Sequence, residues 1–149
     1  MHDTHKELKD RKLIFYGRFP AHNEVGGVTT YTFNASNILN PKSTFFVDMW
    51  KSRNKQIPSG VNYSILERRS LSGLIVLLRY ILSPKKVHFF NLSSVRSCIA
   101  FTFLPKIGGS DWIAIFHHGE QKEEYEKLNF LLKFFVRVGI NRFRRVGYL

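Results

Sequence analysis

A chain of 149 residues is long enough for one domain with a real core, and 44% hydrophobic with 15% aromatic residues excludes a disordered polymer. The formal charge of +12, from 23 basic and 11 acidic residues, points to an anionic partner: nucleic acid, acidic lipid or a phosphorylated substrate. The single cysteine, Cys98, excludes an internal disulfide and a Cys-Cys metal motif, and it reads as a small buried apolar residue.

Residues 1–12 read as a polar, partly disordered leader. No apolar region follows their charges, so no secretory signal is visible. Leu13 to Arg18 reads as a buried strand. A loop with Pro20, Asn23, Gly26 and Gly27 comes next. Val28, Tyr31, Ala35 and Ile38 then recur at helical spacing, which predicts a helix over about 27–39. Glycines between a strand and a helix let the backbone approach a ligand, and the free N–H groups of the helix start favour an anion. Gly17 lies too far from the Gly26-Gly27 pair for a dinucleotide fingerprint, and a P-loop lysine and hydroxyl are lacking. A turn whose glycines serve only packing stands beside the ligand reading.

Asn40-Pro41 stops the helix. Ser43 to Trp50 is a second apolar strand, followed by a basic loop from Lys51 to Gly60. Asn62 to Arg68 is a short strand candidate. Leu71 to Leu82 is apolar nearly all round, which predicts a buried helix ended by Ser83-Pro84. Val87 to Asn91 is a strand, and Ser93 to Leu104 a helix capped by Ser93 or Ser94. Trp112 to Phe116 is a core strand that runs into His117-His118-Gly119-Glu120. Residues 121–138 predict one helix with Leu128, Leu131, Leu132, Phe135 and Val138 on its core face, ended by Gly139. Arg142 to Leu149 is a last strand candidate.

Strands alternating with helices argue for an α/β fold: a doubly wound, mostly parallel, Rossmann-like sheet with helices on both faces. Ligands bind such sheets beyond the carboxyl ends of the strands. Two unusual loops lie there, Ala21 to Gly27 and His117 to Glu120.

These residues also resemble a known family. Gly17-Arg18-Phe19-Pro20 ends a first strand, Glu24-Val25-Gly26-Gly27-Val28 makes a "GGV" loop, Val87-His88-Phe89-Phe90-Asn91 is a mid-domain strand, and His118-Gly119 closes a later one. Their order over about residues 13–149 resembles the N-terminal, acceptor-side domain of GT-B retaining glycosyltransferases of the family-four type. The resemblance implies that Gly26 and Gly27, with Glu24 and Arg18 beside them, contact a donor diphosphate or the acceptor. It implies that His118 is the histidine facing the reacting sugar. His117, its neighbour, is expected to point the other way. His88 matches a strand histidine, with core packing as the plainer role.

Lys86 stands where the family often has Asp. The family binds its sugar nucleotide mainly through a C-terminal Rossmann-like domain that these residues do not supply. The expectation is therefore a split subunit or truncated product, inactive without a donor half. With such a half, the implied reaction moves a sugar from a nucleotide-sugar donor to a lipid-linked or polysaccharide acceptor. No cofactor and no metal are expected.

Phe130 and Phe134 lie off the expected core face of the 121–138 helix, beside Lys133 and Arg137. Aromatics beside basic residues suit anionic headgroups, so these four are the candidate membrane contact. The apolar stretches near 71–82 and 128–138 fall short of the roughly 18–20 residues that span a bilayer. The expected location is cytoplasmic, peripheral on the inner face of the plasma membrane. A basic nucleic-acid- or membrane-binding module without catalysis is the alternative; the aromatics fall in apolar runs rather than among Lys and Arg, so no specific nucleic acid is expected. A hydrolase using His117 or His118 with Ser93, Ser94 or Cys98 lacks a nucleophile-elbow pattern.

Overall fold

The computed structural model describes residues 12–22, 24–48, 50, 54–66, 70–117 and 121–148. Apart from Lys12, the expected leader lies outside the described residues, as do His118, Gly119 and Glu120.

Six strands form one sheet: β1 (Leu13–Gly17), β2 (Thr44–Asp48), β3 (Tyr63–Ile65), β4 (Val87–Leu92), β5 (Asp111–Phe116) and β6 (Arg145–Tyr148). All neighbours pair in parallel, in the order β3-β2-β1-β4-β5-β6. A parallel sheet is covered on both faces, so its strands need near-continuous apolar runs. LIFYG, TFFVD and VHFFNL meet that need, which is why the sequence exposes them. The helices are α1 (Gly27–Ile38), α2 (Leu71–Ile81), α3 (Cys98–Phe103, entered through a 3-10 turn at Val95–Ser97), α4 (Gln121–Glu126) and α5 (Phe130–Ile140). The fold is the doubly wound, Rossmann-like α/β architecture that the alternation predicts.

The two faces differ. Register aligns Phe46, Phe15, Phe89 and Ile113 across one face. There α1 lays Tyr31 and Ala35 on Phe15, Phe46 and Phe89, and Phe19, Ile57 and Val61 complete the cluster. Between β2 and β3 the described residues hold no helix. The opposite face carries Ile14, Tyr16, Phe45, Phe90, Trp112 and Phe116 under α2, α3 and α5. Phe90, Phe101, Trp112 and Phe143 meet edge to face or tilted, with ring centroids 4.7–6.2 Å apart. Each such buried ring contributes on the order of 1.5–3 kcal/mol.

Three expectations change. The helix predicted over 121–138 is two helices, because Asn129 caps a new one: its side chain accepts from Leu132 N at 2.9 Å. Local hydrogen bonding overrides an apolar period that runs on through Leu128. The new phase also exposes Leu131 and buries Val136. Gly139 does not end the helix, which continues to Ile140. A methyl at Gly139 would stand 2.7 Å from the Cys98 carbonyl carbon, so this glycine lets α5 lie against the α3 backbone. Finally, α2 is not buried all round: Leu71, Leu74 and Ile75 are exposed, while Tyr80 and Ile81 face the core.

Candidate functional site

The strand order reverses between β1 and β4. Their carboxyl ends flank the switch point, where doubly wound sheets bind ligands. Gly17 ends β1, and a methyl there would collide with Thr32 Oγ1 of α1. With no side chain in the way, α1 settles onto the sheet through Thr32. That hydroxyl donates to Val28 O at 2.8 Å and accepts from Arg18 N at 3.3 Å and Asn91 Nδ2 at 2.9 Å. Asn91, 4% exposed at the end of β4, also donates to Val28 O at 2.9 Å. The docking of this helix is thus set by hydrogen bonds as well as by rings.

The α1 N-terminus is open. Gly26 is its N-cap in extended conformation and offers no side-chain cap of its own, and its first turn holds no acidic residue. Gly26 and Gly27 are exposed. Backbone N–H groups and the positive end of a 12-residue helix are therefore presented to solvent. Gly27 lies against His117: a methyl at Gly27 would stand 3.1 Å from His117 Cβ and 3.5 Å from its Nδ1. The His117 ring also meets Tyr31 at 4.9 Å. The two loops that the sequence places at this edge do meet, and the described residue that joins them is His117.

His117 was expected to point the other way from His118. Strand alternation holds, since His117 N continues the ladder to Leu92 O at 3.1 Å. Ile113, Ile115 and His117 therefore share a side, and α1 occupies that side. His118, the residue expected to face the reacting sugar, lies outside the described residues.

Arg18 and Glu24 pair with each other, and Glu24 also accepts from Ala21 N at 3.1 Å. The Arg18 guanidinium stacks 5.0 Å over the Trp50 ring. Together they close the loop before the glycines. A buried ion pair that sequence reasoning missed straps this loop from the side. Asp48 at the end of β2 accepts from Phe19 N at 2.9 Å and Trp50 N at 2.8 Å, and it pairs with Lys55. Both side chains are nearly inaccessible, at 0% and 3%. Lys55 also bridges to Ala21, and Gln56 N donates to Pro20 O at 2.8 Å. The available signal was a carboxylate inside the apolar run STFFVDMW, since a buried Asp needs partners.

His88 belongs to the other face and is structural. Its Nε2 lies 3.1 Å from Ser83 O, which can only accept, so Nε2 carries the proton and Nδ1 accepts from Tyr16 Oη at 3.0 Å. Burial lowers its pKa to about 4. The same burial raises the Tyr16 hydroxyl well above its usual range. Cys98 is fully buried, and desolvation followed by the charge of Glu124 pushes its thiol up to about 12. A thiol so far from ionising is no nucleophile, which removes it from any hydrolase scheme.

Phe130 is 87% exposed and Phe134 is 53% exposed, as the off-core reading expects. Lys133 and Arg137 sit 5.7 and 5.9 Å from the Tyr125 ring, and Arg137 Nε donates to Tyr125 Oη at 2.6 Å. Among the described residues no helix is long and apolar enough to cross a membrane, and no group of three His, Cys, Asp or Glu side chains is placed to hold a metal ion.

Neither a protein-family model, nor a curated protein, nor a solved structure matches this chain.

Proposed function

We propose that this domain is the acceptor-side half of a GT-B retaining glycosyltransferase that works on a lipid-linked or glycan acceptor at an anionic membrane. The observation that carries the reading is the contact of Gly27 with His117 at the switch point. An uncapped helix start with two bare glycines suits the diphosphate of a sugar nucleotide, and a histidine beside it suits the transferring sugar. In this reading Gly26 and Gly27 donate backbone N–H groups to the anion, the Arg18–Glu24 pair shapes the loop, and His118 meets the sugar. A nucleotide-binding half supplies the base and ribose contacts.

The exposed helix starts support the membrane part. Crossover helices run opposite to parallel strands, so α2 and α5 begin at the carboxyl edge. On one face of the sheet they present Leu71, Leu74 and Ile75, and Phe130, Leu131 and Phe134. Lys133 and Arg137 flank the second set, and each basic residue near an anionic surface adds on the order of 1 kcal/mol. The paired substitution Phe130→Ser and Phe134→Ser is expected to weaken sedimentation with phosphatidylglycerol vesicles while leaving the thermal midpoint unchanged. Sedimentation that does not depend on anionic lipid contradicts the membrane reading.

The transferase reading is tested by deleting the chain from its host and profiling lipid-linked saccharides by mass spectrometry. The expected result is loss of one glycosylated species, restored by the native chain and not by Gly27→Val. An unchanged saccharide profile overturns it.

A further inference from the structure

Burial alternates along β5. Trp112, Ala114 and Phe116 are 0%, 0% and 1% exposed, while Asp111, Ile113 and Ile115 between them stay half-buried. A parallel sheet normally hides both faces, so alternation in a strand with neighbours on both sides marks a face left bare. The bare face is the one that carries α1. There α1 lies on Phe15, Phe46 and Phe89, centred on β1, while α2, α3 and α5 pack against the opposite face. Val87, Ile113 and Ile115 accordingly join neither apolar cluster of the described residues. Gly147 of β6 continues the strip. It pairs with Ile115, and a methyl there would stand 3.3 Å from Ile115 Cγ1, so the floor stays low.

The strip has the dimensions of one helix. β5 lies two strands from β1, roughly 10 Å at the ordinary strand spacing. Helices packed side by side stand about 8–10 Å apart, so a helix beside α1 falls over Ile113 and Ile115. Three strands give the strip a footprint of roughly 300 Å2. A stable dimer buries about 800 Å2 of each copy, and chains of charge +12 repel, so a second copy is not the occupant. A flat bilayer meets α1, which stands about 10 Å above the sheet, before it reaches the strip. Residues 1–11 offer Met1 and Leu8 as their only apolar side chains, too few for a helical stripe. The rim sets the sign of the partner. Arg145 is exposed in register with Ile113, and Asp111, the acidic residue at the same end, is held by Arg144. We propose that this strip receives an amphipathic helix of a second polypeptide, about 13 residues long, with acidic residues at the end that meets Arg145. The inference goes beyond the transferase reading, since the strip is bare whether or not the glycine turn holds a diphosphate.

The test places the photo-crosslinking residue p-benzoylphenylalanine at position 115 of the full chain in its host, with position 65 on the outer strand as the control. Position 115 is expected to capture a second polypeptide that position 65 does not. Mass spectrometry is expected to map the cross-link to a segment with apolar residues every three to four positions and Asp or Glu at one end. A synthetic peptide of that segment is then expected to shift the Ile113, Ile115 and Gly147 amides of the 15N-labelled chain. Ile115→Ser is expected to weaken the peptide about tenfold. Arg145→Glu, an exposed change, is expected to weaken it a few-fold and serves if Ile115→Ser does not fold. No cross-link at position 115, cross-links only to lipid, to a second copy or to residues 1–11, a captured segment without that pattern, or unchanged peptide binding in a folded variant would each overturn the proposal.

Discussion

The two faces of the sheet are held by different physics. Over Phe90, Phe101, Trp112 and Phe143 the contacts are rings, and α5 reaches α3 only because Gly139 has no side chain. Over β1 and β4 the contacts are in large part hydrogen bonds, and α1 reaches the strand end only because Gly17 has none. The ring face tolerates exchange of similar volumes. The polar face fixes one orientation of α1, and with it the position of the Gly26–Gly27 turn against His117. Both faces bury rings, but only the α1 face adds the buried hydrogen bonds and ion pair that fix orientation.

Cutting the polar strap tests this most severely. Asp48→Ala leaves Lys55 buried without its carboxylate and orphans the Phe19 and Trp50 amides. The expected cost is about 3–5 kcal/mol in urea unfolding. A cost below about 1 kcal/mol would mean that the pair does not hold the loop. On the ring face, Gly139→Ala forces α5 off the α3 backbone, and about 3 kcal/mol or more is expected as a lowered thermal midpoint. An unchanged midpoint would show that the helices have room to part.

His88 separates the faces by pH. Its folded pKa of about 4 lies below the ordinary 6.5, so between those values the unfolded chain binds more protons. Its contribution is complete above about pH 6.5 and is lost as pH falls toward about 4, amounting to no more than about 3 kcal/mol. His88→Gln is expected to flatten the urea midpoint across that window. A profile as steep as the native one assigns the acid loss to other groups. Gly27→Ala is the smallest change in stability, under about 1 kcal/mol, because the better helix former offsets a few tenths of an ångström of movement at His117. Its effect should appear in anion binding instead.

The alternating order of elements was legible because parallel strands must be apolar on both faces, and STFFVDMW and WIAIF admit few other readings. Gly26-Gly27 was legible as a helix entry because its composition and the period after it agree. The break at Asn129 was not, since Leu128 and Leu132 keep one helical period through it and only the cap reveals the restart. Gly139 misled for a related reason: near a helix end a glycine reads as a stop, whereas here it answers to a neighbouring backbone. The Asp48–Lys55 strap and the side on which His117 falls depend on which face α1 covers, and periodicity carries no sign for that.

The most direct measurement is a titration of the 15N-labelled chain with pyrophosphate at two salt concentrations. The expected result is a saturable set of shifts centred on the Gly26, Gly27, Val28 and Thr29 amides, persisting at the higher salt and lost in Gly27→Val. Shifts scattered over exposed lysines and abolished by salt, with the glycine turn silent, would contradict a diphosphate site at the start of α1.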